Sequence, residues 1–361
     1  MKTFHIIGSN DLGGAENFFI RMVEALTNAG HETIAVTRGG GPIAKLFSPK
    51  VQQLHLPFAS KWDYWTQWQL SHLIKKHQPA IVQSYMSRAT RLTRLPKNSS
   101  AVHIARLGGY YTISGYYDHA DAWVGNTRDI CDYLVKQGLP VERIFHIGNF
   151  VPRPRDVSID EVSKLRNSLQ LPDNARIIFA LGRMIEKKGF QDLIEAISML
   201  ARPYADQPVI LVLAGDGTER SKYEALAQRL DVAEKIRFVG WQTDPIPFFK
   251  LADVFVCPSR HEPLGNILLE AWTNGLPILS TSNEGAQELI EPNRNALLVP
   301  VADPKAMAEG LARLLSLSRL ELQSLVDEGY KTVNIHSEEA VVKAYIELYS
   351  KLRQMKFGKE N

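Results

Sequence analysis

Cysteine is scarce in this chain: its 361 residues include two, Cys131 and Cys257. That excludes a disulfide scaffold and a structural zinc site built from cysteines. An excess of one charge is missing as well, since 42 Lys and Arg stand against 39 Asp and Glu, a formal net charge of +3. With the cations spread and no RNA or DNA motif beside them, nucleic acid is not an expected partner. No apolar run approaches the ~18 residues that a membrane span needs. The opening Met1-Lys-Thr-Phe-His-Ile-Ile-Gly-Ser9 is too short and too polar for a secretory leader. A cytoplasmic protein is expected, soluble and able to touch a membrane from its surface. Low-complexity tracts are absent, and so is an Asp-x-Asp pair near a strand end that would hold a divalent cation.

What is present is ordinary for a soluble folded protein: 45% apolar and 22% charged residues. At roughly 150 residues per domain the length suggests two domains, each able to bury its own core. The two halves open alike. Thr3-Phe-His-Ile-Ile-Gly8 is followed by Gly13-Gly-Ala-Glu16, an apolar-periodic stretch from Phe18 to Leu26, and the run Thr33-Ile-Ala-Val-Thr37. Ala175-Arg-Ile-Ile-Phe-Ala-Leu-Gly182 is followed by Lys188-Gly189, a helical pattern, and Val209-Ile-Leu-Val-Leu-Ala214. Each reads as strand, glycine turn, helix, strand, the start of a doubly wound α/β domain. Between them, Asn149-Phe-Val-Pro-Arg-Pro-Arg155 reads as a connector. Further strands are expected at 80–84, 101–105, 122–125 and 143–147, and at 236–239, 254–256, 277–279 and 296–299. The tail from Ser337 to Met355 reads as one helix with Val341, Ala344, Tyr345 and Leu348 on a stripe.

In open α/β sheets ligands bind beyond the carboxyl ends of the strands. Gly182-Arg183 closes one strand and Lys188-Gly189 precedes a helix, which sets two cations beside a helix start, suited to a diphosphate. Taken alone, the turn reads first as a solvated loop with two surface cations. The richest stretch runs from Cys257 through Glu262, Pro263, Gly265 and Glu270 to Pro277. The backbone N–H groups of Leu264, Gly265 and Asn266 are placed at a helix start as anion donors. A carboxylate such as Glu262 so near a phosphate is expected to face sugar or ribose hydroxyls, to which it offers strong acceptors.

This stretch resembles the Glu–seven residues–Glu motif of the retaining nucleotide-sugar glycosyltransferases of family 4. The order Gly13-Gly14, Gly182-Arg183, Lys188-Gly189, Gly215-Asp-Gly217, Glu262 and Glu270 agrees with that family from end to end. The resemblance implies a GT-B fold: two Rossmann-like doubly wound domains facing a central cleft. Residues 1–150 would bind the acceptor, with helix 337–355 packed back on them, and residues 151–336 would bind the nucleotide-sugar donor. It implies that Arg183 and Lys188 neutralise the donor diphosphate, so that neither metal nor cofactor is required. Glu262 would hold the donor sugar and Glu270 the ribose. Leu264, Gly265 and Asn266 would supply amides, and Gly13 and Gly14 a close backbone approach. The base would lie near Gly240-Trp241-Gln242. The implied acceptor is a cell-envelope glycan or lipid-linked sugar, such as one of lipopolysaccharide, with peripheral contact at the inner membrane face.

One departure concerns the first half, where many members of the family carry His or Asp at a strand tip. Here the segment is Ala101-Val-His-Ile-Ala-Arg-Leu-Gly-Gly-Tyr-Tyr111. His103 reads first as a satisfied core residue, and Arg106 as an acceptor or phosphate contact. Arg88, Arg91 and Arg94 read as collectors of acceptor phosphates or as a solvated helix face. The aromatic run Lys61-Trp-Asp-Tyr-Trp-Thr-Gln-Trp68 is expected to pack onto the helix it opens, with sugar stacking or membrane contact as the alternative. A sugar-nucleotide epimerase or hydrolase, and a non-catalytic scaffold on the same fold, are the competing readings. The joint presence of Glu262, Glu270, Arg183 and Lys188 favours transfer.

Overall fold

Strands buried on both faces belong to parallel sheets covered by helices, and the central strands here are of that kind. The computed structural model describes residues 1–200 and 207–357. The chain divides into two units, one of residues 1–150 with the segment from Ser337 onward, the other of residues 151–336.

Unit 1 alternates β1 (Lys2–Ile7), α1 (Gly14–Asn28), β2 (Glu32–Arg38), β3 (Gln52–Leu56), α2 (Tyr64–His77), β4 (Ile81–Tyr85) and α3 (Met86–Leu92). β5 (Val102–Leu107), β6 (Ala122–Gly125), α4 (Arg128–Lys136) and β7 (Ile144–His146) follow. The sheet is parallel with order β3-β2-β1-β4-β5-β6-β7, so strand order reverses between β1 and β4. Helix α1 forms because Phe18, Phe19, Met22, Val23 and Leu26 fall on one face, and that face is buried on the sheet.

Unit 2 begins with α5 (Ile159–Ser168), β8 (Arg176–Leu181), α6 (Phe190–Met199), β9 (Val209–Ala214), α7 (Arg220–Arg229), β10 (Ile236–Gly240) and α8 (Ile246–Leu251). It continues through β11 (Val254–Cys257), α9 (Asn266–Thr273), β12 (Ile278–Thr281), α10 (Glu284–Leu289), β13 (Leu297–Val299), α11 (Pro304–Ser316) and α12 (Arg319–Ile335). Its parallel sheet runs β10-β9-β8-β11-β12-β13, reversing between β8 and β11. The chain then returns to unit 1 as α13 (Glu338–Phe357). The α13 residues Val341, Tyr345, Leu348, Tyr349 and Leu352 are buried in the same core as Phe18 and Phe19. No described helix is long and apolar enough to cross a membrane.

Candidate functional site

In unit 2 the strand reversal brings the loop after β8 beside the loop after β11. Three glycines let the backbones approach this closely. A Cβ on Gly215 (φ +131°) would lie 1.9 Å from the Gly182 carbonyl oxygen, and one on Gly217 (φ +158°) 2.4 Å from that of Met184. Gly189 (φ +64°), where a Cβ would meet the Pro258 oxygen at 2.0 Å, lets the lysine loop press on the next strand's end. The Lys187 carbonyl accepts from the backbone N–H of Arg260 at 2.9 Å and of His261 at 3.2 Å. Beneath them Arg260 grips the buried Asp192 with two hydrogen bonds of 2.8 and 2.6 Å. The loop that carries the cations is therefore strapped to the loop that carries Glu262.

Lys188 donates directly to Glu262, and their side chains are 21% and 16% exposed. Sequence reading assigns the cation to a diphosphate and the carboxylate to hydroxyls; in the structure they meet at one point. Gly182 lies beside the lysine stem, where a Cβ would be in ordinary contact with Lys188 Cδ at 3.7 Å and crowd the Phe190 ring at 3.3 Å. Arg183 is exposed, and its guanidinium has no partner among the described residues. Gly265, at φ +61°, is the residue before α9, and Asn266 is the first of that helix. Glu270, one turn further on, is half-buried. Glu262 and the neighbouring Leu264 are held from behind by α10: the Gly285 N–H donates to the Glu262 carbonyl at 2.7 Å. A Cβ on Gly285 would meet Gly265 N at 2.4 Å, so the turn closes on a bare Cα.

Glu284 is a member of this group that sequence reading did not single out. Its carboxylate accepts from the Glu262 N–H at 3.2 Å and is 2.6 Å from His261 Nδ1. Burial pushes its pKa up, but backbone N–H bonds and the His261 ring outweigh this and hold it below the ordinary value. The signal was the stretch Glu284-Gly-Ala-Gln-Glu288 after the strand beginning at Pro277, which resembles the family's turn but does not read as a support for Glu262. Trp241, 70% exposed, follows the left-handed Gly240 at the end of β10. Among the described residues no group of three His, Cys, Asp or Glu could hold a metal ion.

In unit 1, Gly13 precedes α1 and Gly14 opens it, with nothing within 4 Å of where a Gly14 Cβ would stand. Arg88 lies at the strand reversal, its Nη1 donating to the carbonyls of Gly8 at 3.0 Å and Phe58 at 3.2 Å. Arg106 needs a correction, because β5 runs on to Leu107 and takes it into the sheet. Its parity sets it on the face shared by Val102 and Ile104, under α1 and α13. There it is 3% exposed, bonded to Asn149 and, at 3.0 Å, to Tyr345, with its guanidinium 3.7 Å from the Phe18 ring centroid. An acceptor does not reach it. His103, on the opposite face, is 1% exposed and lies 2.9 Å from Ser84 Oγ; burial lowers its pKa to about 4. That is a core histidine.

The aromatic run also differs from expectation. Thr66, Leu70 and Ile74 face inward at helical spacing, which turns the large rings out. Trp62, Tyr64, Trp65 and Trp68 are 54%, 71%, 60% and 58% exposed. Trp65 stacks on Trp68, and Trp68 on His72, at 5.0 and 5.7 Å.

The sequence pattern described as "Glycosyl transferases group 1" matches residues 161–332, and that of "Glycosyltransferase Family 4" matches residues 12–154. The lipopolysaccharide core biosynthesis glycosyltransferase LpsE of Rhizobium meliloti (strain 1021) is 34% identical over 351 residues, 96% of this chain and 98% of that protein. Among solved structures, a glycosyltransferase from Rickettsia africae ESF-5 superposes with a TM-score of 0.86 at 18% identity, covering 97% and 98% of the two chains. Anabaena Alr3699/HepE in complex with UDP and glucose gives a TM-score of 0.81 at 17% identity, covering 97% and 100%.

Proposed function

The chain belongs to glycosyltransferase family 4, among the group 1 glycosyltransferases with a GT-B fold, and from that premise we propose that it is a retaining, metal-independent transferase. It moves a sugar from a nucleoside-diphosphate donor to a hydroxyl of a cell-envelope glycan, in the assembly of the lipopolysaccharide core. The observation that carries this reading is the meeting of Lys188 with Glu262 at the carboxyl edge of unit 2, with Arg183 exposed on the same loop. The name of LpsE supports the acceptor class, and the UDP and glucose in HepE support a nucleotide-sugar donor.

Unit 2 takes the donor and unit 1 the acceptor in this proposal. As the bond between the anomeric carbon and the phosphate oxygen breaks, negative charge grows on the departing diphosphate. Arg183 and Lys188 are fixed cations suited to that charge, and fixed charges need no reorganisation during the reaction. The acceptor oxygen bonds to the anomeric carbon on the face the diphosphate leaves, and its proton passes to the leaving oxygen. Glu262 accepts from donor-sugar hydroxyls and Glu270 from the ribose. The amides of Leu264, Gly265 and Asn266 face the phosphates, Trp241 lies toward the base, and Gly13 and Gly14 offer bare backbone from unit 1. The exposed Trp62, Trp65 and Trp68 beside Lys61 support peripheral contact with the inner membrane face from the cytoplasm.

The test is thermal melting with UDP, GDP, ADP, dTDP and CMP in EDTA. A ligand at 100 times its dissociation constant stabilises by about 2.7 kcal/mol. We expect one nucleoside diphosphate to raise the Tm, and Arg183→Ala to lose the shift. A flat response to all five, or a shift that appears only with Mn²⁺, overturns the reading.

A further inference from the structure

A cavity of about 590 Å³ opens at the carboxyl edge of the unit 1 sheet, between the loop after β3, the start of α3 and the loop after β5. That volume is in the range of small-molecule sites, roughly 300–1,000 Å³. Its polar lining is one-sided: Lys61 and Arg88 supply two cations, Ser87 and Thr112 hydroxyls, Tyr111 and Tyr116 rings, and no carboxylate is present.

The backbone there is shaped to present Arg88. Strand β4 ends at Tyr85 and helix α3 begins at Met86 with no residue between, a turn made at φ +64°. A methionine in the left-handed region is strained, and such strain collects where function holds a side chain in place. Gly8 clears the path, since a Cβ there would lie 3.2 Å from Arg88 Cδ and 2.8 Å from the Phe58 ring. Only Nη1 of Arg88 is engaged by protein, leaving Nε and Nη2 without a partner among the described residues. Lys61 is exposed with its Nζ 5.7 Å from the Tyr116 ring centroid and no carboxylate in ion-pair reach among the described residues. Arg91 stiffens the wall behind it, 3.7 Å above Trp62 and 4.9 Å from Tyr116.

Guanidinium and ammonium groups donate and never accept. The hydroxyls of the lining can serve a neutral sugar, but the two cations gain ion-paired hydrogen bonds only from a ligand with negative oxygens. A sugar that brings its own negative oxygens is a good match, with charge-assisted bonds at one end and tyrosine rings along its apolar face. We propose that this cavity is the acceptor subsite and that it selects a sugar bearing an anionic group, a phosphate ester or a carboxylate, held by Arg88 and Lys61. The proposal rests on unit 1 being the acceptor half of the transferase.

The experiment is titration of the full chain with glucose 6-phosphate, glucuronate, glucose and inorganic phosphate, followed by NMR or calorimetry, with UDP binding measured on the same preparation. At least one charged sugar binds about tenfold more tightly than glucose, and more tightly than inorganic phosphate, the scale of one charge-assisted hydrogen bond. Preference for glucose 6-phosphate identifies a phosphate ester, and preference for glucuronate a carboxylate. Lys61→Gln and Arg88→Gln each remove the preference for charge and leave UDP binding intact. Should Arg88→Gln fail to fold, Lys61→Gln decides. Glucose binding as tightly as both charged sugars, inorganic phosphate binding as tightly as they do, or Lys61→Gln without effect overturns the proposal. Failure of every nucleoside diphosphate to bind the unmodified chain counts against the donor reading and leaves the sugar comparison to its own result.

Discussion

Lys188 and Glu262 hold one another where water reaches about a fifth of either side chain. Removing one partner leaves the other charge half-buried and alone. A fully buried pair broken this way costs about 3–5 kcal/mol, and partial exposure brings that down to ~1–3 kcal/mol. Lys188→Met and Glu262→Gln should each lower the Tm, and the double variant should regain much of the loss. Turnover should fall by about 10²–10³ in all three, the scale of a lost transition-state contact. A double variant that regains activity with stability would make the pair a structural brace. Cys257 offers a second check: burial raises its thiol pKa, and the Glu262 charge raises it further. In the native protein it should resist iodoacetamide at pH 7.5 and react once unfolded, as measured by mass spectrometry. The residue types of this site were legible in the sequence. Their pairing across 74 positions was not, because it depends on Gly189 and Gly285 letting three loops close together.

Among elements, those with clear periodicity were legible: α1, α9, α13 and the central strands fall within a few residues of expectation. Strand β3, Gln52-Gln-Leu-His-Leu56, was missed because an edge strand needs little apolar character and this one leaves most residues partly exposed. The end of β5 was misjudged by two residues, which was enough to turn Arg106 from a tip into an interior residue. Its role as a joint between β5, the segment at Asn149 and α13 gives a sharp expectation. Arg106→Ala should cost about 1–3 kcal/mol for each buried acceptor that loses its bond to the guanidinium, Asn149 Oδ1 and Tyr345 Oη. Tyr345→Phe, which removes one acceptor from a charged donor, should cost ~1.5–3 kcal/mol. In both, α13 should lose protection in hydrogen exchange while the melting shift with nucleotide, which the proposed function assigns to unit 2, persists. Loss of nucleotide binding with α13 still protected would tie Arg106 to the ligand after all.

Across the whole molecule, acid should act on the two units unequally. The fully buried histidines among the described residues, His5 and His103, both lie in unit 1. Burial lowers their pKa values from 6.5 to about 3 and about 4. The unfolded chain binds protons that the native unit refuses, so this stability is complete above pH 6.5 and is lost as pH falls toward those values. Each histidine takes away up to ~1.4 kcal/mol per pH unit in that window. Pulsed hydrogen exchange after incubation at pH 6.5 to 4.5 should open β1 and β5 before β8 and β11. Simultaneous opening, or unit 2 first, would contradict it.

Unit 1 is written in two instalments, residues 1–150 and the helix beginning at Glu338, with all of unit 2 between them. On the ribosome its first sheet is made early and must wait, with the face for Tyr345, Tyr349 and Leu352 uncovered, while unit 2 is synthesised and folds on its own core. A message cut short between codons 336 and 338 therefore yields a finished unit 2 attached to an unfinished unit 1, with an apolar seat open to chaperones and proteases.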